Sequence, residues 1–135
     1  MLTRAILVHD LTQARAAAAA AADLGVALTL ASAPGAASYL GPGWARALAK
    51  TLAQDFPQVA LTLILDCGDK PGLVLAALRL GLKDLRFTGR KKAADNLAEI
   101  ATAQGARLIT DKLRTLDLAR ESDPAAACRA WLAGP

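Results

Sequence analysis

The sequence predicts an α/β protein built on one mostly parallel sheet, and three observations lead there. Five short apolar runs, at 5–8, 26–31, 59–65, 85–87 and 107–109, recur along the chain with helical stretches between them. That alternation is the pattern of a parallel sheet covered by its crossover helices. Each run also ends in a polar or turn-forming cluster: His9-Asp10, Ser32-Ala33-Pro34-Gly35, Asp66-Cys67-Gly68-Asp69, Thr88-Gly89-Arg90 and Thr110-Asp111-Lys112. Finally, aromatic residues make up only 4% of the chain, while alanine runs unbroken from Ala16 to Ala22. Alanine favours helix but buries little area, so Leu, Val and Ile must build the core.

The elements follow in order. Ala5-Ile6-Leu7-Val8 is apolar on both faces and reads as a central strand. A helix from about Leu11 to Leu24 has Asp10 or Thr12 as its N-cap and Gly25 as its stop. The second strand, Val26 to Ala31, contains Thr29 and is placed nearer an edge. A loop from Ser32 to Gly43 follows, with a short helical turn near Ala36-Leu40. Trp44, Leu48 and Leu52 form the buried stripe of the next helix, which closes near Asp55 before Pro57. Val59 to Leu65 is the most apolar strand. The helix from Pro71 to about Gly81 is apolar nearly all round and needs cover on more than one side, from a partner subunit or the C-terminal helix. A strand at 84–87, a helix from Lys91 to Gln104, a strand at 107–109 and a last helix opening at Asp123-Pro124 complete the chain.

Ranking the strands by apolar content gives the order 2-1-3-4-5, hence a three-layer α/β/α sandwich with a five-stranded sheet. A partial βα barrel, assembling with a second subunit, is the alternative. With 135 residues the chain is read as a single domain, 1–135. In a sheet of that order the ligand crevice lies at the switch between strands one and three, flanked by His9-Asp10 and Asp66-Cys67-Gly68-Asp69.

The net charge of +4 is concentrated in 70–114, where ten Lys/Arg face four acids. Such a segment attracts anions or is simply a solvated basic surface. It lacks the aromatic platform of a nucleic-acid binder, which argues against that partner. No stretch reaches the roughly 20 apolar residues of a membrane span. Met1-Leu2-Thr3-Arg4 shows no signal-peptide pattern, and Cys67 and Cys128 are too few for a disulfide framework. A cytoplasmic homodimer is the expectation.

Several constellations carry candidate chemistry. The Asp66–Gly72 turn runs into a helix N-terminus, where Gly68 and neighbouring N–H groups suit an anion, although Asp69 is placed to cap that helix itself. Cys67 at the same place is either a nucleophile, with His9 as base, or an inert buried thiol. Asp10 and Asp66, with Asp69 beside them, suit a shared hard cation such as Mg²⁺. Ser32 and Ser38 lie on the loop that would cover the crevice. Thr88 and Arg90 precede a helix whose first residues, Lys91 and Lys92, oppose its dipole, and an anion there would relieve the mismatch.

Ile6-Leu7-Val8-His9-Asp10, Asp66 at the end of strand three, Phe87-Thr88-Gly89 at the end of strand four and Lys112 after strand five together resemble the receiver domain of response regulators. The resemblance implies a metal at Asp10, phosphorylation at Asp66, hydrogen bonding by Thr88 and a charge contact by Lys112. Three departures stand beside it. His9 occupies the place of the first acid of the family's metal-binding pair, the stretch from Asp66 to Thr88 is short, and Leu113 rather than proline follows the lysine.

The combined expectation is binding, with turnover as its extension, of a small anionic or phosphorylated metabolite at the carboxyl edge of the sheet. Its ligand set is Asp10, Ser32, Ser38, Asp66, Gly68, Asp69, Thr88 and Arg90. Catalysis, where there is any, falls to His9, Asp66 or Cys67. The alternative is a regulatory or protein-interaction module without chemistry, including a degenerate receiver.

Overall fold

A computed structural model describes residues 3–134. Met1 and Leu2, on which part of the signal-peptide reading rests, lie outside the described residues. Strands β1 (Arg4–Val8), β2 (Leu28–Ser32), β3 (Leu61–Asp66), β4 (Asp84–Arg86), β5 (Arg107–Ile109) and β6 (Arg114–Asp117) form one sheet in the order β5-β4-β3-β2-β1-β6. The registers of β1 with β6, β3 with β4 and β4 with β5 are all parallel. The helices are α1 (Leu11–Leu24), α2 (Ala36–Tyr39), α3 (Pro42–Asp55), α4 (Pro71–Arg79), α5 (Lys91–Ala103) and α6 (Pro124–Ala133), with a 3₁₀ turn at Leu118–Arg120. The parallel α/β class expected from the sequence is present.

The chain divides into two compact units. One comprises Met1–Ala31, Leu48–Leu63 and Lys112–Pro135, the other Ser32–Ala47 and Ile64–Asp111. In the first unit Ile6, Val8, Leu28, Leu30, Leu52, Leu118 and Cys128 are buried. Helix α1 forms where expected. The Asp10 carboxylate accepts the Gln13 N–H at 2.8 Å, and Gly25 ends the helix in the left-handed region at φ 67°. Its buried face is alanine only, Ala14, Ala17, Ala18, Ala20 and Ala21, and α6 packs against it. Small side chains allow that close approach. Asp123 caps α6 by accepting the Ala126 N–H at 3.1 Å, with Pro124 in the first turn. Trp131 of α6 lies under the Arg4 guanidinium, 4.2 Å from the ring centre, and its carbonyl accepts from Arg4 Nη2 at 3.0 Å.

In the second unit Ile64, Leu65, Val74, Ala77, Leu78, Leu85, Phe87, Leu97 and Ile109 are buried. Helices α4 and α5 pack together here. The outer side of α4 is less covered than its composition implied: Leu73 and Leu75 are half-buried and Leu80 is exposed. The C-terminal helix proposed as its cover packs on α1 instead.

The strand order corrects the expected 2-1-3-4-5. Strands one to five run consecutively across the sheet, and β6, which the sequence reading left out, pairs with β1 (Arg4 beside Arg114 through Leu7 beside Asp117). Polarity was the wrong guide to position. Thr29 made β2 look like an edge strand, yet Leu28, Leu30 and Ala31 are fully buried, and Ser32, expected in the loop, ends the strand and is buried too. The Ser32 hydroxyl satisfies a backbone N–H in the interior rather than facing water. β6 escaped notice because Arg114 and Thr115 are exposed and only Leu116 and Asp117 turn partly inward.

A consequence follows for β2. Leu30→Ala should destabilise the protein by about 2–5 kcal/mol, the range for a buried leucine truncation. Urea unfolding measures it, and a loss below about 1 kcal/mol would return β2 to the edge.

Candidate functional site

The densest polar arrangement lies in the second unit, at the carboxyl ends of β3 and β4. Asp66 is 5% exposed. Its Oδ1 accepts the N–H groups of Gly35 and Gly68, each at 2.9 Å, and Oδ2 accepts Arg86 Nη1 at 3.3 Å. The Asp66 N–H in turn donates to the Ser32 hydroxyl at 2.9 Å. One carboxylate therefore ties the turn before α2, the turn before α4 and strand β4 together. Gly68 is held at φ 58°, and a Cβ there would meet Gly35 Cα at 3.8 Å, so the two turns approach backbone to backbone. Beyond them, the Thr88 N–H donates to the Gly68 carbonyl at 2.8 Å, and the Cys67 N–H to the Arg86 carbonyl at 2.9 Å.

That network fixes the segment Phe87-Thr88-Gly89-Arg90. A Cβ at Gly89 would strike the buried Phe87 ring, so any other residue there would force the ring to shift. Two hollows flank the segment. One, of about 450 Å³, is lined by Asp69, Pro71, Phe87, Thr88, Gly89, Arg90 and Ala93. The other, of about 550 Å³, reaches Lys91, Asp95, Leu108 and Thr110. The first receives the N-terminal ends of both α4 and α5. Lys70 and Arg90 occupy the N-cap positions of these helices, and neither side chain makes a cap hydrogen bond. The expected capping of α4 by Asp69 is thus corrected: Asp69 lies one residue before the cap, on the rim of the hollow. Lys91 pairs with Asp95 at 3.0 Å on the exposed side of α5.

Of the residues expected to meet, the structure brings together Ser32, Asp66 and Gly68 in the network and Asp69, Thr88 and Arg90 around the hollow. Ser38 is exposed on α2, its N–H on the Gly35 carbonyl at 3.0 Å. Asp10 and His9 belong to the other unit. β2 lies between β1 and β3 in the sheet, so the crevice expected between strands one and three is not formed. Asp10 caps α1, and Asp66 is surrounded by its own donors. Among the described residues no group of three or more His, Cys, Asp or Glu could hold a metal ion. The receiver expectation loses its basis with the strand order and with the internal use of Asp66.

Cys67 is fully buried, and its Sγ–H donates to the Leu65 carbonyl at 3.8 Å. Burial, reinforced by the neighbouring Asp66 charge, pushes its thiol up to about 12. At neutral pH it lacks the thiolate that nucleophilic attack requires. Burial likewise raises Cys128 to about 11, with help from Glu121.

The contact that sequence reasoning missed involves His9. Its Nε2 lies 2.8 Å from Asp117 Oδ1, and the His9 N–H donates to Gln13 Oε1 at 2.8 Å. Asp117 also accepts the Ala119 N–H at 3.0 Å, and Arg120 Nε stands 3.8 Å from its other oxygen. Partial burial opposes ionisation of Asp117, but the His9 and Ala119 hydrogen bonds and the charges of His9 and Arg120 outweigh it and hold the carboxyl below its usual range. The partner was hidden because β6 went unrecognised.

No family model and no curated protein matches the chain. Among solved structures it is similar to one from Coccidioides immitis described as a "putative fructose-1,6-biphosphate aldolase", at 20% identity and a TM-score of 0.63. The alignment covers 79% of this chain and 44% of that one, so the chain spans less than half the length of this neighbour. At that identity the likeness shows the fold alone. No helix among the described residues is long and apolar enough to cross a membrane.

Two measurements test this geometry. Asp66→Ala should cost about 3–5 kcal/mol, because it strands the partly buried Arg86 guanidinium and two N–H groups. Urea denaturation reads the loss, and a variant within 1 kcal/mol of wild type would contradict the network. Asp117, lowered on folding, contributes stability in full above about pH 4, and that contribution disappears as pH falls through the lowered folded value. In His9→Ala the Asp117 carboxyl signal, followed by NMR, should titrate at higher pH than in the wild type. An unchanged midpoint would mean the pair does not form in solution.

Proposed function

We propose that the protein binds a small anionic metabolite, with a phosphate ester as the best-fitting class, in the hollow between the N-terminal ends of α4 and α5. The observation that carries this reading is a contrast in capping. α1 and α6 have aspartate caps that complement the helix dipole. α4 and α5 have cations, Lys70 and Arg90, at the same position and no side-chain cap, and both ends line one hollow. A cation at a helix N-terminus is unfavourable by a few tenths to about 1 kcal/mol, and an anion reverses the sign of that effect. On α4, Pro71 has no N–H and the Leu73 N–H is already on the Lys70 carbonyl at 3.1 Å, so the first turn of α5, the Thr88 hydroxyl and Arg90 supply most of the donors. Asp69, on the rim, suits a hydroxyl of the same ligand rather than its charge. The phosphorylated-sugar name of the structural neighbour is consistent with this class.

A regulatory or interaction module without chemistry remains the second reading, and the half-buried Leu73 and Leu75 on α4, with the exposed Leu80 that follows it, favour it. A homodimer through that helix belongs to this reading.

Thermal unfolding at low salt separates the two. Phosphate or a sugar phosphate should raise the melting temperature of the wild type by mass action, and added salt should weaken the effect. In the triple variant Arg90→Ala, Lys91→Ala, Lys92→Ala the response should vanish while unliganded stability stays equal or rises slightly. A wild type indifferent to all of these anions would leave the interaction-module reading in place.

A further inference from the structure

The larger of the two hollows beside Phe87-Thr88-Gly89 takes no part in the anion site. Its wall on α5 is a single stripe, Lys91, Ala94, Asp95 and Ala98, spaced i, i+3, i+4 and i+7. The two alanines leave room there, and the hollow measures about 550 Å³. Opposite them stand Leu108 and Thr110, two residues apart in an extended segment and therefore on one side of it. The two hollows meet: Phe87, Thr88 and Gly89 line both, and Gly89 puts no side chain between them. A water molecule takes roughly 30 Å³ and a phosphate group only a few times that, so together they have room for much more than the anion.

We propose that this second hollow is the subsite for the uncharged body of the same ligand, which makes that ligand the monophosphate of a small sugar or polyol. The assignment rests on the anion site proposed above and adds what the rest of the ligand must be. Charge decides which end goes where. In the first hollow Arg90 and Asp69 form no ion pair among the described residues, and the N-terminus of α5 adds its dipole. In the second, Lys91 is already matched by Asp95 at 3.0 Å. That pairing uses Asp95 Oδ2. Among the described residues Asp95 Oδ1 and the hydroxyls of Thr88 and Thr110 have no hydrogen-bond partner, so the rim offers both donors and acceptors. The floor beneath them is apolar, with Ala94, Ala98 and Leu108. Polar rim over apolar floor suits a body with hydroxyls on its edges and C–H groups on its face. The phosphate meets Arg90 and the first turn of α5, the body crosses over Gly89, and its hydroxyls reach Thr110 and Asp95. A second phosphate would lie against the Asp95 carboxylate, and like charges brought together oppose binding. Asp95 therefore selects a monophosphate over a bisphosphate.

Isothermal titration calorimetry at low salt tests the assignment, with phosphate, glucose 6-phosphate and fructose 1,6-bisphosphate as probes. The wild type should bind glucose 6-phosphate about tenfold tighter than phosphate, and tighter than the bisphosphate. Ala98→Phe fills the second hollow, so its Kd values for glucose 6-phosphate and phosphate should come within about twofold of each other. Asp95→Asn keeps the shape of an exposed side chain and removes only its charge, so there the bisphosphate should become the tighter of the two sugars. That variant carries the test alone if Ala98→Phe does not fold. Four results would each overturn the subsite and leave the anion site standing: phosphate bound with glucose 6-phosphate no tighter, a wild type that prefers the bisphosphate, an advantage that survives in Ala98→Phe, or an unchanged order in Asp95→Asn. A wild type that binds no phosphate at all would remove the anion site, and the subsite with it.

Discussion

The Asp66 carboxylate is the constraint on which the second unit depends. Three donors from three separate segments converge on it, and its own N–H is held by Ser32. A buried carboxylate is costly unless its lone pairs are filled, and here they are filled by two backbone N–H groups and a guanidinium. The consequence is geometric. With Gly35 and Gly68 drawn to one oxygen, the turns after β2 and β3 are locked against each other, and the Gly68 carbonyl then receives the Thr88 N–H. The segment that borders both hollows is thereby set by a residue that needs no ligand of its own. Among the described residues no buried side-chain N or O atom lacks a partner.

This arrangement separates two roles that a sequence tends to merge. An aspartate closing a central parallel strand is the expected site of chemistry in many α/β proteins, and Asp66 has that address. Its environment gives it a structural task instead, and the exposed polar groups that remain open lie one strand further on, around Thr88, Gly89 and Arg90. The capping pattern supports the same division. Aspartates cap the N-terminal ends of α1 and α6, while the two helix ends facing the hollow carry cations and no side-chain cap.

Much of the architecture was legible, and what was not has specific causes. Asp10, Gly25, Pro71, Asp123 and Pro124 act through local backbone chemistry, so α1, α4 and α6 begin or end within a residue or two of where the sequence places them. The strand order was misread because apolar content measures burial, and β2 is buried while carrying Thr29 and Ser32. Nothing in a strand's own residues states which neighbour it pairs with. β6 was invisible because a four-residue strand with two exposed positions has no period to detect. Within the site, the hollow's Thr88 and Arg90 were legible from the charge mismatch at the start of α5. The three partners of Asp66 were not, since they lie 2, 20 and 31 residues away in sequence. The His9–Asp117 pair spans 108 residues and was equally out of reach.

The central claim is that the open chemistry of the second unit lies between the α4 and α5 ends and not at Asp66. Backbone amide NMR during a phosphate titration tests it most directly. The account predicts saturable shifts concentrated at Gly89, Arg90, Lys91, Lys92 and the first turn of α4, with Gly35 and Gly68 nearly unmoved because their N–H groups stay on Asp66. Shifts centred on Gly35, Asp66 and Gly68, or no saturable shifts at all, would contradict it.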